Sequence, residues 1–440
     1  MSHPSDPADR RTRLLFLNRS YFPDMEATGQ LLTELCEDLA DRFDVAVICG
    51  QPNFAEAGTA YRRWGTETVR GVDVHRVWHS RFSKGLLPAR LFNLLSYLLG
   101  AAMRSLAVRP PDVVVVETDP PLLCMLGAML RQRFRCKLVV YLQDIYPDVG
   151  VALGKLPDNA LTRLLRKWFF DVYRSAERVV VLGEDMGQVL LSAGVARWRI
   201  ATIPNWADTA RIQPCEHAVN AFRRRHGLDG KFVVMYSGNL GLCQGLDDMV
   251  GAAARLRPRE DIQLLVIGDG VSRRRLEREA AVRQLSNVRF LDYQPRCELS
   301  CSLSAADLHL LPLDPRVARC VMPSKLYGIL SAGRPMIGVV PPDCELARII
   351  ATEDVGFLVR PGDAAALADR IAWCADNPEQ LAPMRRLARR LAVEHFDRRT
   401  MTGRFARLLE EVSGVAASKR SAGRVRVAQV AERGEDERGG

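Results

Sequence analysis

Short apolar runs alternate along the chain with longer stretches of helical period. The first half carries runs at residues 14–17, 44–48, 72–77, 113–116, 138–141, 179–182 and 200–203, and the second at 232–236, 263–267, 288–290, 308–311, 336–339 and 356–359. Strands that alternate with helices make parallel sheets covered on both faces, and such strands read as unbroken apolar runs. Seven runs followed by six predict two Rossmann-like α/β domains. Between them residues 203–219 (IPNWADTARIQPCEHAV) hold two prolines and no period, which places a hinge near Asp208. The expected division is 1–207 and 208–397, then an amphipathic helix over 398–412. From Ser413 the chain is rich in Gly, Ala, Ser and charge, and a disordered tail is expected. No period of roughly 20 to 50 residues recurs, so a solenoid is excluded.

Composition changes this picture little. With 440 residues, 48% hydrophobic and 26% charged, each half can bury a core unaided. The balance of 62 Lys+Arg against 52 Asp+Glu, net +10, calls for an anionic partner. No basic patch with interleaved aromatics and no nucleic-acid motif is present, which leaves nucleotide phosphates or an anionic bilayer. The 11 cysteines include no CxxC pair, so neither a zinc site nor a disulfide framework is expected, and a reducing cytoplasm is the simplest compartment. The apolar run that ends at Asn18 is too short for a signal-peptide core. The uncharged stretch 91–103, between Arg90 and Arg104, falls short of the roughly 20 residues that span a bilayer.

Candidate chemistry gathers at strand ends. The run KFVVMYSGNLG ends in Gly238, Asn239, Leu240 and Gly241 before a helical pattern, a place where backbone amides can approach a phosphate. The run LLVIGDG ends likewise in Gly268, Asp269 and Gly270, and ligands of open α/β sheets bind beyond the carboxyl ends of strands. Either corner alone is equally a plain turn. In RVARCVMPSKLYGILSAGRPMIGVV, Pro323 and Ser324 read as a helix start and Gly333 as its stop. Lys325 then lies in the first turn, preceded by Arg316 and Arg319, and such cations suit a pyrophosphate or are solvated surface charges. In the first half, Asp144 follows a strand, where it can orient or deprotonate an acceptor hydroxyl or cap a turn. Gly29, in the loop YFPDMEATGQ, can let that loop close over a substrate. Residues 86–104 and 161–174 are apolar-basic. In the second, Leu161, Leu164, Leu165, Trp168, Phe169 and Val172 share a helical stripe, which fits either core or a membrane surface.

Together YSGNLGLCQGLDD, LLVIGDG, VMPSKLYGILSAGRPMIGV and GFLVRPGD resemble the family 4 glycosyltransferases of the GT-B fold, nearest to the capsule, O-antigen and colanic-acid group. NRSYFPDMEATGQ, ETDPPLL, LQDIYPD and IPNW fit the same group, so the resemblance spans residues 14–412. It implies retaining transfer of a sugar from a nucleotide diphosphate donor to a glycan or lipid-linked acceptor, with no cofactor and no obligatory metal. It implies that the last helix returns to the first domain. It places Gly238 to Gly241 and Lys325 on the pyrophosphate, Gly268 to Gly270 near the nucleoside, and Asp144 by the sugar, with Gly29 in a glycine loop. The family's usual Arg and Lys are replaced here by Asn239 and Gln244, and its glutamate pair by Cys320 and Gly328. Lys325, Arg319 and Arg316 are then the candidates to neutralise the leaving diphosphate, and Glu345 a candidate for the ribose. A lipid-linked acceptor would favour peripheral attachment to the anionic inner leaflet. Two other functions fit the same pattern: a sugar-nucleotide epimerase, and a nucleotide-binding or membrane scaffold protein without catalysis.

Overall fold

The computed structural model describes residues 11–24, 26–52, 62, 64–82 and 87–414. The expected tail lies, beyond Gly414, outside the described residues. The first sheet contains β1 (Arg13–Leu17), β2 (Asp44–Cys49), β3 (Gly65–Val69), β4 (Val72–Arg76), β5 (Val113–Val116), β6 (Lys137–Tyr141), β7 (Arg178–Val181) and β8 (Ile200–Thr202), in the order β3-β4-β2-β1-β5-β6-β7-β8. The pairs from β4 through β7 are parallel, with Leu14 opposite both Val45 and Val113. The second sheet contains β9 (Phe232–Ser237), β10 (Ile262–Ile267), β11 (Val288–Leu291), β12 (Leu308–Pro312), β13 (Met336–Val339) and β14 (Gly356–Val359). All five of its pairs are parallel, in the order β11-β10-β9-β12-β13-β14.

The sequence reading missed one strand. β3 is polar and half exposed, and pairs antiparallel with β4 across a turn at Arg70 and Gly71, both at positive φ. An edge strand facing water carries no apolar run, so only the Arg-Gly turn announces it.

By contacts the chain forms two compact units. One comprises the described residues up to Tyr141, Asp171–Val180 and the chain from Thr402. The other comprises Leu142–Phe170 and Val181–Met401. This division interleaves segments, where the sequence places one boundary near Asp208 and returns the helix 398–412 to the first domain. In the first unit, the last helix (Arg398–Ser413) sets Phe405 edge-on to Tyr141 with ring centroids 5.0 Å apart, and Asp38 accepts from Thr402 Oγ1 at 2.9 Å. In the second, alternate strand residues face opposite helical layers. Val234, Tyr236, Leu264 and Val266 join one buried cluster, while Val233, Met235, Leu265 and Ile267 join another with Phe222 and Leu228. A sheet buried on both faces needs this double set, and it aims the ends of β9 and β10 at one edge.

Candidate active site

Two glycine corners interlock at that edge. Gly238 follows β9 at φ +134°, and Gly268 follows β10 at φ +133°. The Gly238 amide donates to Ile267 O at 2.8 Å, Leu240 N to Asp269 O at 2.8 Å and Ser272 N to Leu240 O at 3.0 Å. The fit leaves no room for side chains, since a Cβ on Gly268 would lie 2.1 Å from Gly238 O, and one on Gly270 2.6 Å from the Leu240 carbonyl. Leu240 is buried, whereas Asn239 and Asp269 are exposed at the rim, and Asp269 Oδ1 accepts from the Gly270 amide at 2.8 Å.

Lys325 meets this corner. A Cβ on Gly238 would stand 2.4 Å from Lys325 Cε, so the lysine stem lies directly against the turn. Its Nζ donates to Gln244 Oε1 at 3.0 Å and sits 5.1 Å over the Tyr236 ring, while Tyr236 donates its hydroxyl to Asn239 O at 2.6 Å. Burial lowers the ammonium pKa to about 8. Pro323 and Ser324 precede the helix Lys325–Ser331, and Ser324 makes no side-chain cap bond to it among the described residues. The helix after the first corner begins later than its sequence pattern predicted. A short turn, Leu242–Gln244, intervenes, and the helix Asp247–Arg255 opens on Asp247 and Asp248, which already complement its dipole.

Asp144 arrives at the same loop. It bridges Val321 in antiparallel fashion, and Ile145 N donates to Cys320 O at 3.1 Å. Its carboxylate helps to raise the thiol pKa of both Cys243 and Cys320, after burial as the main cause. Asp144, Cys320, Cys243 and Lys325 therefore form one neighbourhood. The sequence points to Cys320 through the family's glutamate position, but not to Cys243 or Tyr236 as neighbours of the lysine, because their positions depend on how distant strand ends converge.

Four sequence-predicted residues stand differently. Arg316 turns onto Asp314, with Nη2 to Oδ2 at 2.6 Å, and holds that carboxyl below its usual range. Arg319 reaches Asp343 at 2.9 Å, both side chains being well exposed. Their charges are thus matched by carboxylates. Glu345 packs on Gly183, where a Cβ would come 2.0 Å from its Oε2, and accepts from Asp185 N at 3.2 Å. In return Asp185 Oδ2 accepts from Glu345 N at 2.7 Å, so each carboxylate caps the other's helix, and burial raises the Glu345 pKa. Those two bonds engage the side chain and backbone of Glu345, and no ribose contact is assigned to it. Gly29 lies within the helix Ala27–Ala40 rather than in a loop, and its missing side chain admits Ser20, whose Oγ would be 2.3 Å from a Cβ there.

Comparison with known proteins agrees with this geometry. Residues 27–206 match the family described as "Glycosyl transferase 4-like domain" and residues 219–391 the one described as "Glycosyl transferases group 1". The chain is 31% identical over 287 residues to the probable glycosyltransferase WbjE of Pseudomonas aeruginosa, covering 65% of this chain and 70% of WbjE. It is 28% identical over 393 residues to the putative colanic acid biosynthesis glycosyl transferase WcaI of Escherichia coli (strain K12), covering 86% and 96%. In fold it is similar to HepE of Anabaena, solved in complex with UDP and glucose, with a TM-score of 0.69, 17% identity, and coverage of 91% of this chain and 100% of HepE. The two parallel-sheet units, the paired glycine corners and these matches place the chain in the family 4 glycosyltransferases of the GT-B fold, and it is a glycosyltransferase.

Proposed function

We propose that the protein moves a sugar, with retention of configuration, from a nucleoside diphosphate sugar to a glycan or lipid-linked acceptor in exopolysaccharide, capsule or O-antigen synthesis. The contact of Lys325 with Gly238 carries the reading. As the bond from the sugar to the diphosphate breaks, negative charge grows on the leaving oxygen, and a preorganised ammonium stabilises it most in the transition state. Asp144, which follows β6 and bridges Val321 in the loop before the lysine's helix, orients the acceptor hydroxyl or the sugar. The reaction calls for no cofactor. The name of WcaI supports the biosynthetic setting, and the UDP and glucose bound to HepE support the donor class.

Thermal stabilisation across uridine, guanosine and adenosine diphosphate sugars, followed by product analysis with and without acceptor, tests the reading. One donor is expected to raise the melting temperature and to be consumed only with acceptor, giving a product of unchanged anomeric configuration. Conversion of donor alone to an epimer would sink it. Asp144→Asn is expected to lower turnover at least tenfold, roughly the scale of a lost general base or orienting contact, with donor affinity kept. Unchanged turnover would reduce Asp144 to a loop residue.

Peripheral contact with an anionic membrane is part of the same proposal. The helix Leu87–Ala107 exposes Leu91, Leu95, Leu99 and Met103 at four-residue spacing. In the helix Ala160–Ser175 the expected stripe divides. Leu161, Leu164 and Trp168 are exposed, whereas Phe169 and Val172 are buried as core. Among the described residues no helix is long and apolar enough to cross a membrane. An exposed apolar stripe on a basic protein suits the headgroup boundary of a bilayer. Leu95→Ser with Leu99→Ser is expected to reduce co-sedimentation with phosphatidylglycerol vesicles severalfold, as the buried apolar area falls. Equal binding by wild type and variant would remove this helix from the contact.

A further inference from the structure

A cavity of about 490 Å³ opens in the second unit, away from the glycine corner. Arg334, Arg385, Arg386, Arg389 and Arg390 line it, against only two acids, Glu216 and Glu394. Four of these arginines fall on two successive turns of the helix Leu381–His395, at the i, i+4 spacing that puts them on one side. Gly333 forms part of the wall at φ +62°, where a Cβ would lie 3.2 Å from Pro214 and 3.4 Å from Arg385 O.

The five cations are not equivalent. Arg389 is committed to the fold, donating to Thr209 O at 2.9 Å, Ile212 O at 2.9 Å and Ser331 O at 2.8 Å. Arg385 approaches Asp307 at 3.6 Å, and Asp307 is shared with Arg223 and His217. Arg386 and Arg390 are exposed and form no ion pair among the described residues. Arg334 is the unusual one. It is 4% exposed, donates through Nη2 to Cys215 O at 2.8 Å, and leaves its buried Nε with no hydrogen-bond partner among the described residues. The Nε of Arg385 is buried and unpartnered in the same way. A guanidinium taken out of water with an unmet donor beside further cations is costly unless an anion completes it. Burial, with Arg385 close by, lowers the Arg334 pKa to about 10.

The place in the sheet separates this cavity from the donor corner. Arg334 lies two residues before β13, whereas Gly238 and Gly268 follow β9 and β10, and all three strands are parallel. The cavity is therefore at the amino-terminal edge of the sheet and the corner at its carboxyl edge.

We propose that this cavity is a second anion site, which binds a soluble phosphorylated small molecule through Arg334, Arg386 and Arg390. Planar guanidinium forks suit phosphoryl oxygens, and the volume accommodates a group of pyrophosphate or sugar-phosphate size.

The test is calorimetric titration of the full chain with inorganic pyrophosphate in a Lys325→Ala background, which removes the corner's cation. One pyrophosphate per chain is expected to bind. Adding Arg386→Ser and Arg390→Ser is expected to weaken it about tenfold or more, the worth of at least one charge-assisted hydrogen bond, with the melting temperature little changed because neither residue has an ion pair among the described residues. Arg334→Lys, which keeps a charge but loses the fork, is expected to weaken binding likewise. No saturable binding in the Lys325→Ala protein, or binding indifferent to the arginine changes, overturns the proposal. A parallel arm measures co-sedimentation with phosphatidylglycerol vesicles. Unchanged association after Arg386→Ser and Arg390→Ser supports a soluble ligand. Loss of vesicle binding without any pyrophosphate binding would make these arginines a lipid-headgroup contact and overturn it.

Discussion

Lys325→Ala is expected to cut turnover about a hundredfold and to weaken nucleoside diphosphate binding together with it, the scale of losing one preorganised electrostatic contact. The lysine stem lies against Gly238 and its Nζ is fixed by Gln244 and the Tyr236 ring, so its charge is placed before the donor arrives. Solvent does not take over that role when the side chain is removed, because the turn beneath it is closed by backbone bonds. The pH dependence gives an independent reading. Burial lowers the pKa to about 8, so the group is an ammonium at neutral pH and loses its proton as pH rises through that value. The kcat/KM of the free protein should therefore fall above about pH 8, well below the range of an ordinary lysine near 10.4. Lys325→Arg, which stays charged, should remove that limb whatever its absolute rate. Initial rates across pH with calorimetric titration of the diphosphate check both points. A variant that binds and turns over like the wild type would take Lys325 out of the mechanism.

Gly268→Ala is expected to destabilise the second unit by about 3 kcal/mol or more, the cost of strained backbone with a steric conflict added. At φ +133° an L-residue is already strained, and its Cβ would stand 2.1 Å from Gly238 O. That neighbour is backbone, held by the Gly238 bond to Ile267 O, and it has no rotamer to escape into. Gly362→Ala is the internal control, with φ +88° and nothing within 4 Å of the added atom, so only the backbone term remains. Thermal unfolding of the two variants should separate them by several degrees. Equal melting temperatures would mean that the corner yields where its hydrogen bonds say it should not.

Much of the fold was legible because parallel strands buried on both faces must be apolar throughout. Val113–Val116, Met336–Val339 and Gly356–Val359 coincide with their runs, and the remaining predicted strands differ by a residue or so at their ends. The polar edge strand Gly65–Val69 escaped for the complementary reason. At the site, the glycines and Lys325 could be read as strand-end residues, yet their contact depends on partners such as Gln244, 81 positions away. Arg316, Arg319 and Glu345 were assigned by charge and by their place along the chain. Their carboxylate and amide partners, Asp314, Asp343 and Asp185, could not be inferred from spacing. The arginine cavity left only a faint trace, the doubled pairs Arg385-Arg386 and Arg389-Arg390 on one helix, because its key member Arg334 comes from another element.

The interlocked corner also limits how this enzyme can diverge. With Gly238, Gly268 and Gly270 each filled by a neighbour's atoms, the frame proposed to hold the diphosphate tolerates almost no exchange. Variation is confined to the side chains that rise from it into solvent, Asn239 and Asp269 foremost. A library restricted to those two rim positions would sample new donor preferences on an unaltered scaffold, whereas one that included the glycines would spend most of its members on chains that do not fold.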